Sequence, residues 1–158
     1  MAENLYVADG TKDEKFEALI PQIKGVIDGE PDMIARMANV TAMLTQTFGH
    51  FWTGFYRVDG DTLVLGPFQG TLACIRIRYG RGVCGTAWAE NRTVIVPDVE
   101  QFPGHIACSS MSRSEIVVPV TKEGKTIAVL DIDSTATDTF DDVDARYLEK
   151  ICQILSDF

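Results

Sequence analysis

The sequence predicts an α+β domain, a mostly antiparallel sheet of about six strands flanked by amino- and carboxyl-terminal helices, with the helices packed on one face. Three observations carry this. Apolar residues recur at helical spacing before Gly49 and again after Asp141; between them the period drops to two; and Gly, Pro and Asp clusters punctuate the short runs. At 158 residues and 17.4 kDa the chain has the size of one domain, 1–158, and should bury roughly 70% of the surface its unfolded form exposes. Its 46% hydrophobic and 23% charged residues are a globular composition, not a disordered one.

A first helix is predicted over residues 13–28, where Phe16, Leu19, Ile20, Ile23 and Ile27 share a stripe, with a boundary expected at Pro21. A second runs from Pro31, in its first turn, to a stop at Gly49. Ile34, Met37, Val40 or Thr41, Leu44 and Phe48 form its apolar face, and the Met33, Met37 and Met43 stripe is core. Residues 51–58 and 62–65 read as a hairpin around Asp59-Gly60-Asp61. A break at residues 66–70 precedes a third strand, Leu72 to Tyr79, then a short helix, Cys84 to Glu90, and a strand, Thr93 to Val96. Residues 98–114 form a long irregular loop, the kind that carries function when ordered. Strands 115–121 and 125–133 flank a tight turn at Lys122-Glu123-Gly124. A last helix starts at Thr139 or Asp141 with Phe140, Val143, Tyr147, Ile151, Ile154 and Phe158 on one face.

Fourteen Lys and Arg against 23 Asp and Glu give a net charge of −9, the wrong sign for nucleic acid or an anionic membrane. No apolar run reaches the roughly 18 residues of a spanning helix. The opening residues lack the basic and apolar regions of a secretory signal, so the expected location is the cytoplasm. In that compartment the four cysteines, Cys74, Cys84, Cys108 and Cys152, do not by number imply a structural disulfide framework. No Cys-x-x-Cys pair occurs and only His50 and His105 are present, so no metal site is expected.

Alternation in the 72–79 strand puts Ile75, Ile77 and Tyr79 on one face and Cys74, Arg76 and Arg78 on the other. The arginines would raise the thiolate fraction of Cys74; a solvent-facing strand edge is the plainer reading. In 127–133, Asp131 and Asp133 share a face, where mutual repulsion and partial desolvation would let one hold a proton near neutrality. A carboxylate capping the following loop is the alternative for Asp133. Cys108, in the loop Pro103-Gly104-His105-Ile106-Ala107-Cys108-Ser109-Ser110, is the best nucleophile, because backbone N–H groups and His105 could stabilise its thiolate there; a loop-pinning apolar role competes. Cys152, between Ile151 and Ile154, belongs to core packing or a helix flank.

Six strings occur in order: Leu65-Gly66-Pro67-Phe68-Gln69-Gly70 with Ala73-Cys74; Gly80-Arg81-Gly82-Val83-Cys84-Gly85-Thr86-Ala87; Ile95-Val96-Pro97-Asp98-Val99; Pro103-Gly104-His105-Ile106-Ala107-Cys108; Ser114-Glu115-Ile116-Val117-Val118-Pro119; and Leu130-Asp131-Ile132-Asp133-Ser134. Together, with three cysteines in the same spacing, they resemble the GAF-domain free methionine-(R)-sulfoxide reductases over roughly residues 30–158, leaving an amino-terminal helical segment, 1–29, outside. The resemblance implies a single GAF domain that reduces free L-methionine (R)-S-oxide to methionine. It implies Cys108 as the attacking cysteine, Cys74 as the principal resolving cysteine and Cys84 as an auxiliary thiol. Trp52, Tyr56, Glu115, Asp131 and Asp133 match positions that line the family's substrate pocket.

A sulfoxide sulfur is a poor electrophile until its oxygen is protonated, so a thiolate needs an acid beside it, and Asp133 is the first candidate among the clustered carboxyls. Those carboxyls would also pair with the α-ammonium of a free amino acid, and Trp52 would pack on the S-methyl group. No bound cofactor is implied; an external dithiol, thioredoxin, would return the electrons, and a homodimer is compatible with the pattern. A GAF module that binds a small molecule without catalysis, or a thiol redox sensor, is the competing function.

Overall fold

The structure, a computed structural model, describes residues 4–106 and 108–157. In chain order these form α1 (Lys12–Ile27), α2 (Met33–Phe48), β1 (Trp52–Asp59), β2 (Thr62–Gln69), β3 (Arg76–Arg78), α3 (Gly82–Glu90), β4 (Val94–Val96), β5 (Ser114–Lys122), β6 (Lys125–Ser134) and α4 (Asp142–Ser156). The six strands make one sheet in the order β3-β2-β1-β6-β5-β4, and every neighbouring pair is antiparallel.

Alternation along the central strands sorts side chains into two apolar layers. Phe55 of β1, Ile116, Val118 and Val120 of β5, and Ala128, Leu130 and Ile132 of β6 meet Phe16, Leu19, Ile23, Met37, Val40, Leu44, Leu148 and Ile151 from α1, α2 and α4. On the opposite face, Trp52, Tyr56, Leu63, Ile77, Val117 and Val129 meet Val83, Cys84 and Ala87 of α3. The terminal helices thus share one face, as expected, and the short α3 covers the other. Gly85 explains the close approach: a Cβ there would stand 2.6 Å from the Arg78 carbonyl oxygen.

The helix ends follow side-chain chemistry. Thr11 and Glu14 close a capping box on α1, the Asp32 carboxylate accepts from the Ile34 and Ala35 amides at the start of α2, and Asp141 pairs with Asp144 in a second box on α4. Gly49 ends α2 in the left-handed region at φ 65°. Pro31 therefore lies just outside α2 rather than in its first turn, and Ile34, counted on the apolar face, is exposed.

Three further boundaries move. α1 continues through Pro21, because Phe16 and Leu19 before it and Ile23 and Ile27 after it are all buried in the same layer, while Pro21 itself is exposed. β2 runs on past Gly66-Pro67 to Gln69: Gly54 pairs with Phe68 but Tyr56 with Leu65, so β2 carries one extra residue there, a bulge that accommodates a proline. β3, expected over Leu72 to Tyr79, shrinks to Arg76–Arg78, leaving Cys74 in the segment before it; of the three residues assigned inward, only Ile77 is buried, whereas Ile75 and Tyr79 are exposed. Phe158 on the α4 stripe lies outside the described residues.

Candidate functional site

Strand register builds the site. Glu115 of β5 stands directly opposite Asp133 of β6, and Val117 opposite Asp131, while Trp52 and Gly54 of β1 flank the same two aspartates from the other side. Because successive residues alternate, Glu115, Asp131, Asp133, Trp52 and Tyr56 all project to the face that α3 covers. Trp52 and Tyr56 are buried there with rings 6.0 Å apart, and Trp52 stacks on Phe68 at 5.2 Å. Gly54 makes this possible: a Cβ would lie 2.3 Å from Phe68 Cβ and 2.7 Å from the Trp52 ring.

These residues surround a cavity of about 50 Å³, lined also by Cys84, His105, Ile106, Cys108 and Ser112. The volume suits a few water molecules and falls below the roughly 300 Å³ at which small-ligand pockets begin. Its roof is a disulfide: Cys74 and Cys108 are bonded, with Cα atoms 5.6 Å apart, tying the loop after β4 to the segment before β3. The Tyr56 hydroxyl donates to the Cys74 carbonyl oxygen at 2.8 Å, and Trp52 Nε1 to the Thr71 carbonyl oxygen at 3.0 Å, so the aromatic pair also holds this segment. The Arg76 guanidinium, counted as a neighbour of Cys74, instead engages Asp59 at 2.7 Å and Thr62 at 3.0 Å.

The carboxyls share one electrostatic predicament. Burial, reinforced by the Asp133 charge, pushes Glu115 up to about 8, while burial and a neighbouring carboxylate carry Asp131 and Asp133 well above the usual carboxylate range. The three titrate as a coupled set, so the cluster holds protons near neutrality. Ser112 donates to Asp133 Oδ1 at 3.1 Å, stabilising the ionised form against that trend. Asp133 therefore faces the cavity instead of capping the loop that follows it. His105 Nε2 stands 3.7 Å from Glu115 Oε1, and burial lowers its pKa.

Of the residues singled out from sequence, Trp52, Tyr56, Cys84, Glu115, Asp131, Asp133 and Cys108 line this one cavity, and Cys74 reaches it through its bond to Cys108. Cys84 is buried at the amino-terminal turn of α3, where burial and the nearby Asp131 carboxyl hold its thiol well above the ordinary range. Cys152 is buried against the other face of the sheet, in the layer that packs α4. Ser112 and the ring of Phe68 were not anticipated. Ser112 had only the serine-rich character of its loop as a signal, and Phe68 sat beyond the point where β2 was expected to end.

The GAF domain family model matches residues 30–158. GAF domain-containing protein A of Dictyostelium discoideum is 57% identical over 156 residues, covering 98% of this chain and 99% of that protein. The free methionine-R-sulfoxide reductase of Escherichia coli is 45% identical over 141 residues, covering 89% and 86%. Among solved structures, the free methionine-R-sulfoxide reductase of Neisseria meningitidis in complex with its substrate superimposes with a TM-score of 0.95 at 51% identity, covering 97% of this chain and 93% of that one.

Proposed function

Since the chain belongs to the GAF-domain free methionine-(R)-sulfoxide reductase family, we propose that it reduces free L-methionine (R)-S-oxide to L-methionine through a cysteine sulfenic acid and a disulfide, with thioredoxin as the reductant. The observation that carries this reading is a disulfide between Cys74 and Cys108 beside a cavity lined by the buried carboxyls of Glu115 and Asp131 and the half-buried carboxyl of Asp133. In the reduced protein the Cys108 thiolate attacks the sulfoxide sulfur. A protonated carboxyl of the cluster, Asp133 in this scheme, gives its proton to the sulfoxide oxygen, which needs it to become a leaving oxygen. Oxygen passes to Cys108 as a sulfenic acid, and methionine, now carrying the electron pair, departs. The Cys74 thiol condenses with the sulfenic acid, releasing water and forming the 74–108 bond; two thiols of an external dithiol reopen it.

Cys84 serves in this scheme as an auxiliary thiol in recycling. The carboxylates that remain ionised pair with the substrate's α-ammonium, which a residue inside a peptide lacks, and the Trp52 ring packs on the S-methyl group. No bound cofactor takes part. The test is incubation with dithiothreitol and, separately, the R and S epimers of free methionine sulfoxide, followed by assay of methionine. Methionine from the R epimer alone is expected. None from either epimer would leave a small-molecule-binding module or a redox sensor.

A further inference from the structure

On the cavity floor, beneath the disulfide, the Cys84 sulfur and one carboxylate oxygen each from Glu115 and Asp131 lie within 4.8 Å of one another. All three residues are at least nine-tenths buried, with relative exposures of 4%, 6% and 6%. Asp131 Oδ1 is buried in this cluster and has no hydrogen-bond partner among the described residues, while the carboxyl group as a whole engages Glu115 and the Cys84 thiol. An acceptor so placed is costly unless something electropositive meets it. No described lysine or arginine forms an ion pair with Glu115 or Asp131. His105 Nε2 stands 3.7 Å from Glu115 Oε1.

We propose that Cys84, Glu115 and Asp131 form a binding site for a thiophilic divalent cation of the zinc class, with His105 lying beside Glu115. In a tetrahedral site with bonds of about 2.0–2.3 Å the donors stand roughly 3.3–3.5 Å apart, so these three, within 4.8 Å of one another, must draw together to hold an ion. The sulfur among the donors selects zinc or cadmium over magnesium or calcium, which take oxygen only. No electrons move. Binding exchanges the Cys84 thiol proton and the carboxyl protons, released to solvent, for metal–ligand bonds. The sequence offered no zinc-type spacing because the donors come from α3, β5 and β6, and only the fold assembles them.

Metal held there takes the place that the substrate's ammonium occupies under the proposed function, so it acts as an inhibitor and not as a cofactor. That clause alone rests on the reductase reading; the site itself does not. The oxidised chain isolates the question, because with Cys74 and Cys108 bonded the free thiols are Cys84 and Cys152. Titrating oxidised protein with cadmium in the absence of thiol reagents is expected to give one sulfur-to-cadmium ultraviolet charge-transfer band saturating at one ion per chain, with release of protons into weakly buffered medium. Zinc should displace the band. Cys84→Ser should abolish it, Asp131→Asn and Glu115→Gln should each weaken cadmium binding by at least about tenfold, and Cys152→Ser should leave it intact. A band that survives Cys84→Ser, or disappears in Cys152→Ser, overturns the site. So does its absence from the unmodified protein, without touching the turnover assay.

Discussion

At the scale of single residues, the cluster of Glu115, Asp131 and Asp133 supplies the acid of the proposed reaction. Cys108→Ser should abolish methionine formation and leave no sulfenic acid for a trapping reagent to capture; turnover at the normal rate would remove Cys108 from the scheme. Asp133→Asn should slow the reaction by about a hundredfold or more while alkylation of Cys108 in the reduced protein persists, since the acid and not the nucleophile is lost. A pH–rate profile unchanged in that variant would place the acid elsewhere. Stability carries the same signature. Glu115 rises from 4.5 in the unfolded reference to about 8 when folded, so between those values the folded chain binds more protons than the unfolded one. Its slope of unfolding free energy against pH is then negative, and this contribution is full below about 4.5 and lost as pH climbs through about 8. Denaturant midpoints measured across that window should fall with pH, and Glu115→Gln should flatten the decline.

At the scale of elements, the close approach of β1 and β2 shapes the pocket wall. Gly54→Ala puts a methyl group into Phe68 and the Trp52 ring, which should cost about 1–3 kcal/mol by chemical denaturation and displace the indole, read as a shift in tryptophan emission. Capping is separable from the site: Asp32→Ala should cost about 1 kcal/mol with no effect on the reaction. The helices were legible because their stripes are long and their caps are local in sequence. The departures have equally local causes. A proline on the exposed side of α1 costs the helix little that its buried stripe does not offset, and Gly66-Pro67 marks a bulge in a strand that continues. Alternation over residues 72–79 implied a longer strand than forms, since the ladder with β2 covers Arg76–Arg78 and one further bond, from the Leu65 N–H to the Ile75 carbonyl oxygen.

At the scale of the whole molecule, the sheet separates the layer packed by α1, α2 and α4 from the one that holds the candidate site. Leu148→Ala, in the layer with α1, α2 and α4, should cost about 2–5 kcal/mol and lower the melting temperature while leaving the pH–rate profile unmoved. The acidic face of β6 was legible from period-two alternation alone. The opposition of Glu115 to Asp133, and the approach of Cys84 and His105 to them, were not, because register and helix placement arise from packing between segments distant in sequence. The bond across the cavity mouth has a kinetic corollary. Under the proposed reaction a chain stapled in this way cannot accept a second oxidant until it has been unlocked, so the two half-reactions alternate. Without external reductant the protein should deliver one equivalent of product in a burst and then fall silent; with it, double-reciprocal plots at several reductant concentrations should run parallel.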